Sequence, residues 1–210
     1  MEIMRTANAG VLLRLDNASI LLDGVCQEVS PYLATPLWVK EQLLTQLPDA
    51  VCYTHCHKDH FDRDYARRYT SLTGRAILGP EGVGAQSACR VQDVQIRGIP
   101  TRHIGAANAT IGHWSYVIQG SKCIWFLGDA SPLQWKGSVD LPKPDVVLAP
   151  YAYFVTEKGW QCLRSFGAQR NVLLHMPLRD NDPSELWPAV DSIAADSAPI
   201  HLELGQQLSL

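Results

Sequence analysis

The sequence has no run of about 18 apolar residues, which argues against a membrane-spanning helix, and its start, Met1-Glu2-Ile3-Met4-Arg5, lacks a basic stretch leading into an apolar signal core. These absences make a cytoplasmic protein the expectation. It has no CxxC pair: Cys26, Cys52, Cys56, Cys89, Cys123 and Cys162 are scattered, most in apolar runs, and read as reduced core residues. It carries little net charge, −3 over 210 residues, so no global field draws nucleic acid. A local basic patch stays open, but a polynucleotide substrate is disfavoured. No repeat, low-complexity segment or linker interrupts the chain. With 46% hydrophobic residues it can bury one substantial core, and one domain over residues 1–210 is expected.

What is present is a succession of short apolar runs. Gly10 to Leu15 and Ser19 to Asp23, separated by Asp16-Asn17, read as a β-meander. Leu37 to Leu47 fits a helix, and Ala50 to Thr54 a buried strand. Asp62 to Leu72 suits a helix ended by Gly74, Ala76-Ile77-Leu78 a strand, and Gly82 to Cys89 a helical segment. Strands follow at Val94–Arg97, Tyr116–Ile118, Ile124–Leu127 and Val146–Leu148. The last third alternates a helix (Lys158–Phe166), a strand (Asn171–Leu174), a helix (Ser184–Ile193) and a final strand (Ile200–Glu203). Many short strands mixed with helices predict a layered α/β protein.

The chemistry concentrates in Thr54-His55-Cys56-His57-Lys58-Asp59-His60. In an extended segment alternate side chains share a face, so His55, His57 and Asp59 can line one side while Cys56 and Lys58 turn away. A turn into the following helix would swing His60 to a second position. Imidazole and carboxylate suit zinc, iron and manganese, and ions roughly 3.5–4 Å apart can act together on an ester or phosphodiester.

On this motif the sequence resembles the metallo-β-lactamase superfamily. Three later positions extend the resemblance in the family's order, each just beyond an apolar strand: His103 in Ile99-Pro100-Thr101-Arg102-His103, Asp129 in Phe126-Leu127-Gly128-Asp129-Ala130, and His175 in Val172-Leu173-Leu174-His175. The resemblance implies a four-layer αββα sandwich with the site at one edge. It implies two divalent ions, Zn2+ first with Mn2+ or Fe as alternatives, one held by His55, His57 and His103 and the other by Asp59, His60 and His175. Asp129 would bridge them. His113 competes with His103 for the third histidine position; His103 is preferred, because His113 opens a strand and reads as structural. His201 also reads as structural.

An aspartate rather than a cysteine at the bridging position resembles the lactonase, phosphodiesterase, glyoxalase II and RNase Z branches and argues against antibiotic hydrolysis. Asn8-Ala9-Gly10-Val11, His60-Phe61-Asp62 and Asp145 to Pro150 look like the subgroup of ascorbate-6-phosphate lactonase and N-acylphosphatidylethanolamine phospholipase D. The shortness of the chain, with no evident exosite insertion, disfavours an RNase Z-like nuclease. The implied reaction is hydrolysis of a small phosphodiester, lactone or related ester by a metal-bridging hydroxide, with Asp129 and Asp59 catalytic and Asp59 orienting the nucleophile or accepting its proton. Tyr151 and Tyr153, on the loop after Val146–Leu148, and Arg102 are candidate substrate contacts, with buried aromatic packing an equal reading of the two tyrosines. Lys58, Arg63, Arg67 and Arg68 are further anion binders, although Arg63 and Arg67 read first as a solvated helix face. The partner is a small molecule, without nucleic acid or membrane, and a homo-oligomer stays open. An iron-dependent redox enzyme and a non-catalytic metal-stabilised binding module remain as alternatives.

Overall fold

The computed structural model describes residues 1–135, 140–193 and 199–210. Among them the first sheet is formed by β1 (Glu2–Arg5), β2 (Val11–Leu15), β3 (Ala18–Leu22), β4 (Ala50–Cys52) and β12 (Gln207–Ser209), in the order β12-β1-β2-β3-β4. The second contains β5 (Ala88–Val91), β6 (Val94–Thr101), β7 (His113–Gln119), β8 (Cys123–Phe126), β9 (Val146–Pro150), β10 (Arg170–Leu174) and β11 (Ile200–His201), in the order β11-β10-β9-β8-β7-β6-β5. Hairpins make the β1–β3 and β5–β8 runs antiparallel. Crossovers make β3–β4 and the β8–β11 run parallel.

Residue alternation assembles the layers. Val11, Leu13, Leu15, Ile20 and Leu22 turn to one face of the first sheet and meet Ile124, Phe126, Val146, Leu148, Val172 and Leu174 from the second in a shared buried core. Between them, Leu12 and Leu21 turn outward beneath α1 (Leu37–Thr45) and α2 (Arg63–Thr73). Trp125, Val147 and Leu173 turn outward beneath α3 (Glu157–Ser165) and α4 (Leu186–Ile193). Three apolar layers between two sheets and two helix pairs make an αββα sandwich, as expected.

Where the prediction fails, the reasons are local. Ala76–Leu78 is not a strand: only Leu78 bridges to Cys52 and Gln86, and Gly79-Pro80 stops the ladder there. The segment 82–89 is not helical, since Ala88 and Cys89 enter β5 and pair with Arg97 and Ile96. Ile200–Glu203 is neither full length nor final. Its carbonyl at Leu202 accepts from the Arg5 guanidinium at 2.8 Å, and a turn returns the chain as β12 along β1, a strand the composition did not reveal. α2 does follow its signals: the Asp62 carboxylate caps the Asp64 and Tyr65 amides, and Gly74 closes the helix at φ 69°.

Candidate metal centre

The predicted ligands come from the ends of several strands on one edge of the sandwich. After β4 the chain leaves the sheet at Tyr53, and the turn that closes with the amides of His60 and Phe61 donating to the His57 carbonyl brings His60 back beside His55, their ring centroids 4.2 Å apart. His103 follows β6, Asp129 follows β8 and His175 follows β10. His175 adopts φ 58°, a left-handed conformation that a non-glycine residue holds only under constraint. Its N–H donates to the Asn8 carbonyl at 3.2 Å.

Seven side chains converge. His57 Nδ1 and His103 Nε2 lie 3.0 and 3.2 Å from His55 Nε2, forming one triad. Asp59, His60 and His175 form the second, with the Asp59 carboxylate 3.2 Å from His175 Nε2 and 3.9 Å from His60 Nε2. One oxygen of Asp129 stands between them, 3.4 Å from His60 Nε2 and 3.6 Å from both His103 Nε2 and His175 Nε2.

Hydrogen bonding behind the rings fixes which nitrogen faces inward. Thr54 donates its hydroxyl to Asp23 at 2.6 Å, so it accepts from His55 Nδ1–H at 2.9 Å and leaves His55 Nε2 bare. His103 Nδ1–H donates to the Ile104 carbonyl at 2.7 Å, leaving its Nε2 bare as well. Two lone-pair nitrogens 3.2 Å apart repel unless a cation or proton lies between them. His60 Nε2, Asp129 Oδ1 and His175 Nε2 are buried without a hydrogen-bond partner among the described residues. Nitrogen and carboxylate donors with their bare atoms turned to common points fit divalent cations.

Electrostatics divide the cluster: His60, although burial lowers it, is raised well above the ordinary histidine range by the Asp129 and Asp23 carboxylates, so it would give up its Nε2 proton on taking an ion. Burial, then the neighbouring His60, holds His55 well below the ordinary histidine range, so its ring is neutral and its Nε2 lone pair free to take a cation. Burial alone would raise the Asp129 carboxyl; the charge of His175 and His60 outweighs it and keeps the group well below the usual range.

Asp23 escaped the sequence reading, which took it as the end of a strand. It is fully buried, accepts the Thr54 amide at 2.7 Å and the Thr54 hydroxyl, and faces His60 Nδ1 at 2.8 Å. It can be grouped with His55 and His60 as a third triad. Both its oxygens are already engaged, however, so it orients ligands rather than binding an ion itself. The signal was a carboxylate closing an apolar strand, where nothing else would keep it buried. Close backbone approach supports the bracing: a Cβ on Gly10 would lie 1.9 Å from the Asp23 carbonyl oxygen.

His113 is brought close but does not join the cluster. Its Nε2 accepts the Asp129 amide at 3.0 Å, so its Nδ1–H donates to Thr101 Oγ1 at 2.8 Å. Burial, ahead of its charged neighbours, pushes it down to about 3. It anchors the Asp129 turn, which the Ile104 amide also holds by donating to the Asp129 carbonyl at 2.8 Å. Gly128 makes that turn at φ 53°, with Thr54 so near that a Cβ would sit 2.5 Å from its methyl group.

The substrate candidates divide. Tyr151 stands 5.6 Å from His175 between ring centroids, and burial, helped by Asp129 and Asp59, raises its phenol so that it stays protonated. Tyr153 is fully buried in the outer core of the second sheet and is out of a substrate's reach. Arg102 is exposed, because the alternation that turns Thr101 and His103 inward turns it outward. Tyr32, unmarked in the sequence, packs edge-on to His175 at 4.4 Å, and its phenol is likewise raised, chiefly by burial. His201 is structural, 3.0 Å from an Arg5 nitrogen and edge-on to Trp187.

The sequence matches the family model described as a beta-lactamase superfamily domain over residues 3–159. No curated protein matches it. Among solved structures it is similar to an isothiocyanate hydrolase from Delia radicum gut bacteria, at 17% identity and a TM-score of 0.72 over 100% of this chain and 99% of that one. A protein described as a possible metal-dependent hydrolase from Veillonella parvula is similar at 15% identity and a TM-score of 0.72, over 100% and 99%. CmlA, a diiron beta-hydroxylase from Streptomyces venezuelae, is similar at 12% identity and a TM-score of 0.63, this chain matching 54% of its length. No helix among the described residues is long and apolar enough to cross a membrane.

Proposed function

The chain belongs to the beta-lactamase superfamily, and from that premise we propose that it is a metal-dependent hydrolase holding two divalent ions, Zn2+ first, and acting on a small ester, lactone or phosphodiester. The carrying observation is the single Asp129 oxygen 3.4 to 3.6 Å from Nε2 of His60, His103 and His175, which joins the two triads. In this reading His55, His57 and His103 would hold one ion and Asp59, His60 and His175 the other, with the Asp129 carboxylate available to both. Bound there, the ions would lower the pKa of water and polarise the scissile carbonyl or phosphoryl oxygen.

The chain's own groups supply the rest. Asp59, partly exposed and 3.2 Å from His175 Nε2, can hold a proton released by attacking water. Tyr151, kept neutral by burial and by Asp129 and Asp59, can donate its hydroxyl proton to a leaving oxygen. Tyr32 and Tyr151 flank His175 and narrow the approach to the ions. Arg102, turned outward, has no part in this reading, nor does the buried Tyr153.

Asn8-Ala9-Gly10 and His60-Phe61-Asp62 favour the lactonase and phospholipase D-like subgroup as the finer assignment. The test is zinc-loaded protein against a panel of bis-p-nitrophenyl phosphate, a lactone series, S-lactoylglutathione and, because the Delia radicum gut bacterial relative is named for them, isothiocyanates. Hydrolysis that Asp129→Asn and His57→Ala each abolish supports the reading; full activity in either variant sinks it. CmlA's name keeps an oxidative alternative in view, and two irons with no hydrolytic turnover would move the assignment there.

A further inference from the structure

The buried histidines of the cluster are not held alike. His55, His60 and His103 each direct Nδ1 to a protein acceptor: the Thr54 hydroxyl, the Asp23 carboxylate and the Ile104 carbonyl respectively. Such a bond fixes both the tautomer and the plane of the ring. His175 is equally buried, yet its Nδ1 has no hydrogen-bond partner among the described residues. Its backbone is fixed by the left-handed φ of 58° and by its amide bond to the Asn8 carbonyl. Neither sets the plane of the imidazole, whose last torsion is intrinsically broad.

What meets that ring is aromatic. Tyr32 stands edge-on to it, the centroids 4.4 Å apart and the planes at 74°. Tyr151 lies farther off at 5.6 Å, and His60 faces it at 4.9 Å. The edge-to-face arrangement is the one ring quadrupoles favour, and at this distance it restricts rotation of either ring.

Tyr32 is itself held by the segment between β3 and α1. Val29 and Tyr32 exchange backbone hydrogen bonds at 3.1 and 2.7 Å. The base of the loop is closed at Cys26, whose amide donates to Thr35 Oγ1 at 2.9 Å and whose carbonyl accepts the Thr35 amide at 3.2 Å. Two further bonds tie the loop to the turn that carries the other ligands of the second triad. Gln27 donates its amide to the Lys58 carbonyl at 2.7 Å, just before Asp59 and His60, and the Val25 carbonyl accepts the Asp62 amide at 3.1 Å, just after them. The segment therefore grips Asp59 and His60 through the backbone on either side, and reaches His175 through the Tyr32 ring.

We infer that Tyr32 is a positioning residue of the second metal site: its ring does for His175 what a hydrogen bond does for His55, His60 and His103, and keeps Nε2 turned to Asp59 and Asp129. The inference rests on the two-ion part of the proposed function and is read from metal binding, without turnover. Ring packing carries it rather than the hydroxyl, so phenylalanine should serve as well as tyrosine.

The test is competition of the zinc-loaded full chain with a chromophoric chelator, resolving the two ions by affinity, in the parent, Tyr32→Phe, Tyr32→Ala and His175→Ala. The phase that His175→Ala weakens or abolishes belongs to the second triad. For that phase the expected Kd is raised on the order of tenfold in Tyr32→Ala and unchanged in Tyr32→Phe. The other phase and the circular dichroism should stay parental in both. Parental affinity in Tyr32→Ala would overturn the inference. So would equal weakening of both ions, which marks a general loss of structure, or a Tyr32→Phe protein as weak as Tyr32→Ala, which assigns the effect to the hydroxyl. A parent that binds a single ion sinks the two-ion reading and this inference with it; two ions with an indifferent Tyr32→Ala sinks the inference alone.

Discussion

Replacing Asp23 with Asn separates the orientation of the ligands from their presence. In the native protein one carboxylate receives the Thr54 amide at 2.7 Å, the Thr54 hydroxyl at 2.6 Å and His60 Nδ1 at 2.8 Å. Asn keeps the first contact through its oxygen but presents an NH2 where the second oxygen stood. His60 can meet a donor only by baring Nδ1, which puts its proton on Nε2, the atom 3.4 Å from the Asp129 carboxylate and turned to the proposed metal site. Thr54 must reverse as well, accepting where it donated, and its proton then confronts His55 Nδ1–H at 2.9 Å. One atom change thus disfavours the ligating tautomer of two histidines. Loss of such an orienting partner weakens metal binding on the order of 10–100-fold, about 1.4–2.7 kcal/mol. Exchanging a charge-assisted for a neutral buried contact adds a stability loss of roughly 1–3 kcal/mol. Competition with a chromophoric chelator measures the affinity and circular dichroism the fold. A folded Asp23→Asn protein with parental zinc affinity and stoichiometry would refute the reasoning.

Other perturbations follow from the same contacts. His113→Ala strips the Asp129 amide of its acceptor; at roughly 1–3 kcal/mol for a stranded donor, the melting temperature should fall by roughly 2–12 °C and turnover should fall with it, both read on one preparation. Tyr151→Phe should lower kcat on the order of 10²–10⁴-fold for substrates with poor leaving groups. Tyr153→Phe removes a buried hydroxyl without a partner among the described residues and should leave kcat unchanged with stability equal or higher. Burial, then the Arg5 charge, pushes His201 down to about 4 from the ordinary histidine value of about 6.5. The unfolded chain therefore binds the extra proton between those values, and stability should fall as pH drops from about 6.5 to about 4. His201→Gln should flatten that part of the melting-temperature profile relative to the parent; parallel profiles would count against it.

How much of this was legible depended on whether a residue's neighbours in space are also its neighbours in sequence. The alternation of Val11-Leu12-Leu13 and Val146-Val147-Leu148 showed strands, and the faces chosen by Leu12 and Val147 then fixed the layers. His55 to His60 could be read because one turn carries four of the side chains in the cluster. His103, Asp129 and His175 were found by family order, which geometry alone would not have supplied. Asp23 was missed because its purpose lies 31 and 37 residues away, at Thr54 and His60. Tyr32 likewise acquires a role only where its loop meets His175. Tyr151 and Tyr153 stayed open between substrate contact and buried packing because their spacing does not choose; the 3₁₀ turn Tyr151–Tyr153 sends the first toward the centre and the second into the core.

Elemental analysis of the purified chain and of Asp129→Asn, each with its rate on the same hydrolytic substrate, tests the central claim most directly. Two divalent ions per parent chain, with loss of at least one ion and of turnover in a folded Asp129→Asn protein, are predicted. Two ions retained and turnover undiminished in the variant would contradict a carboxylate shared between the two triads.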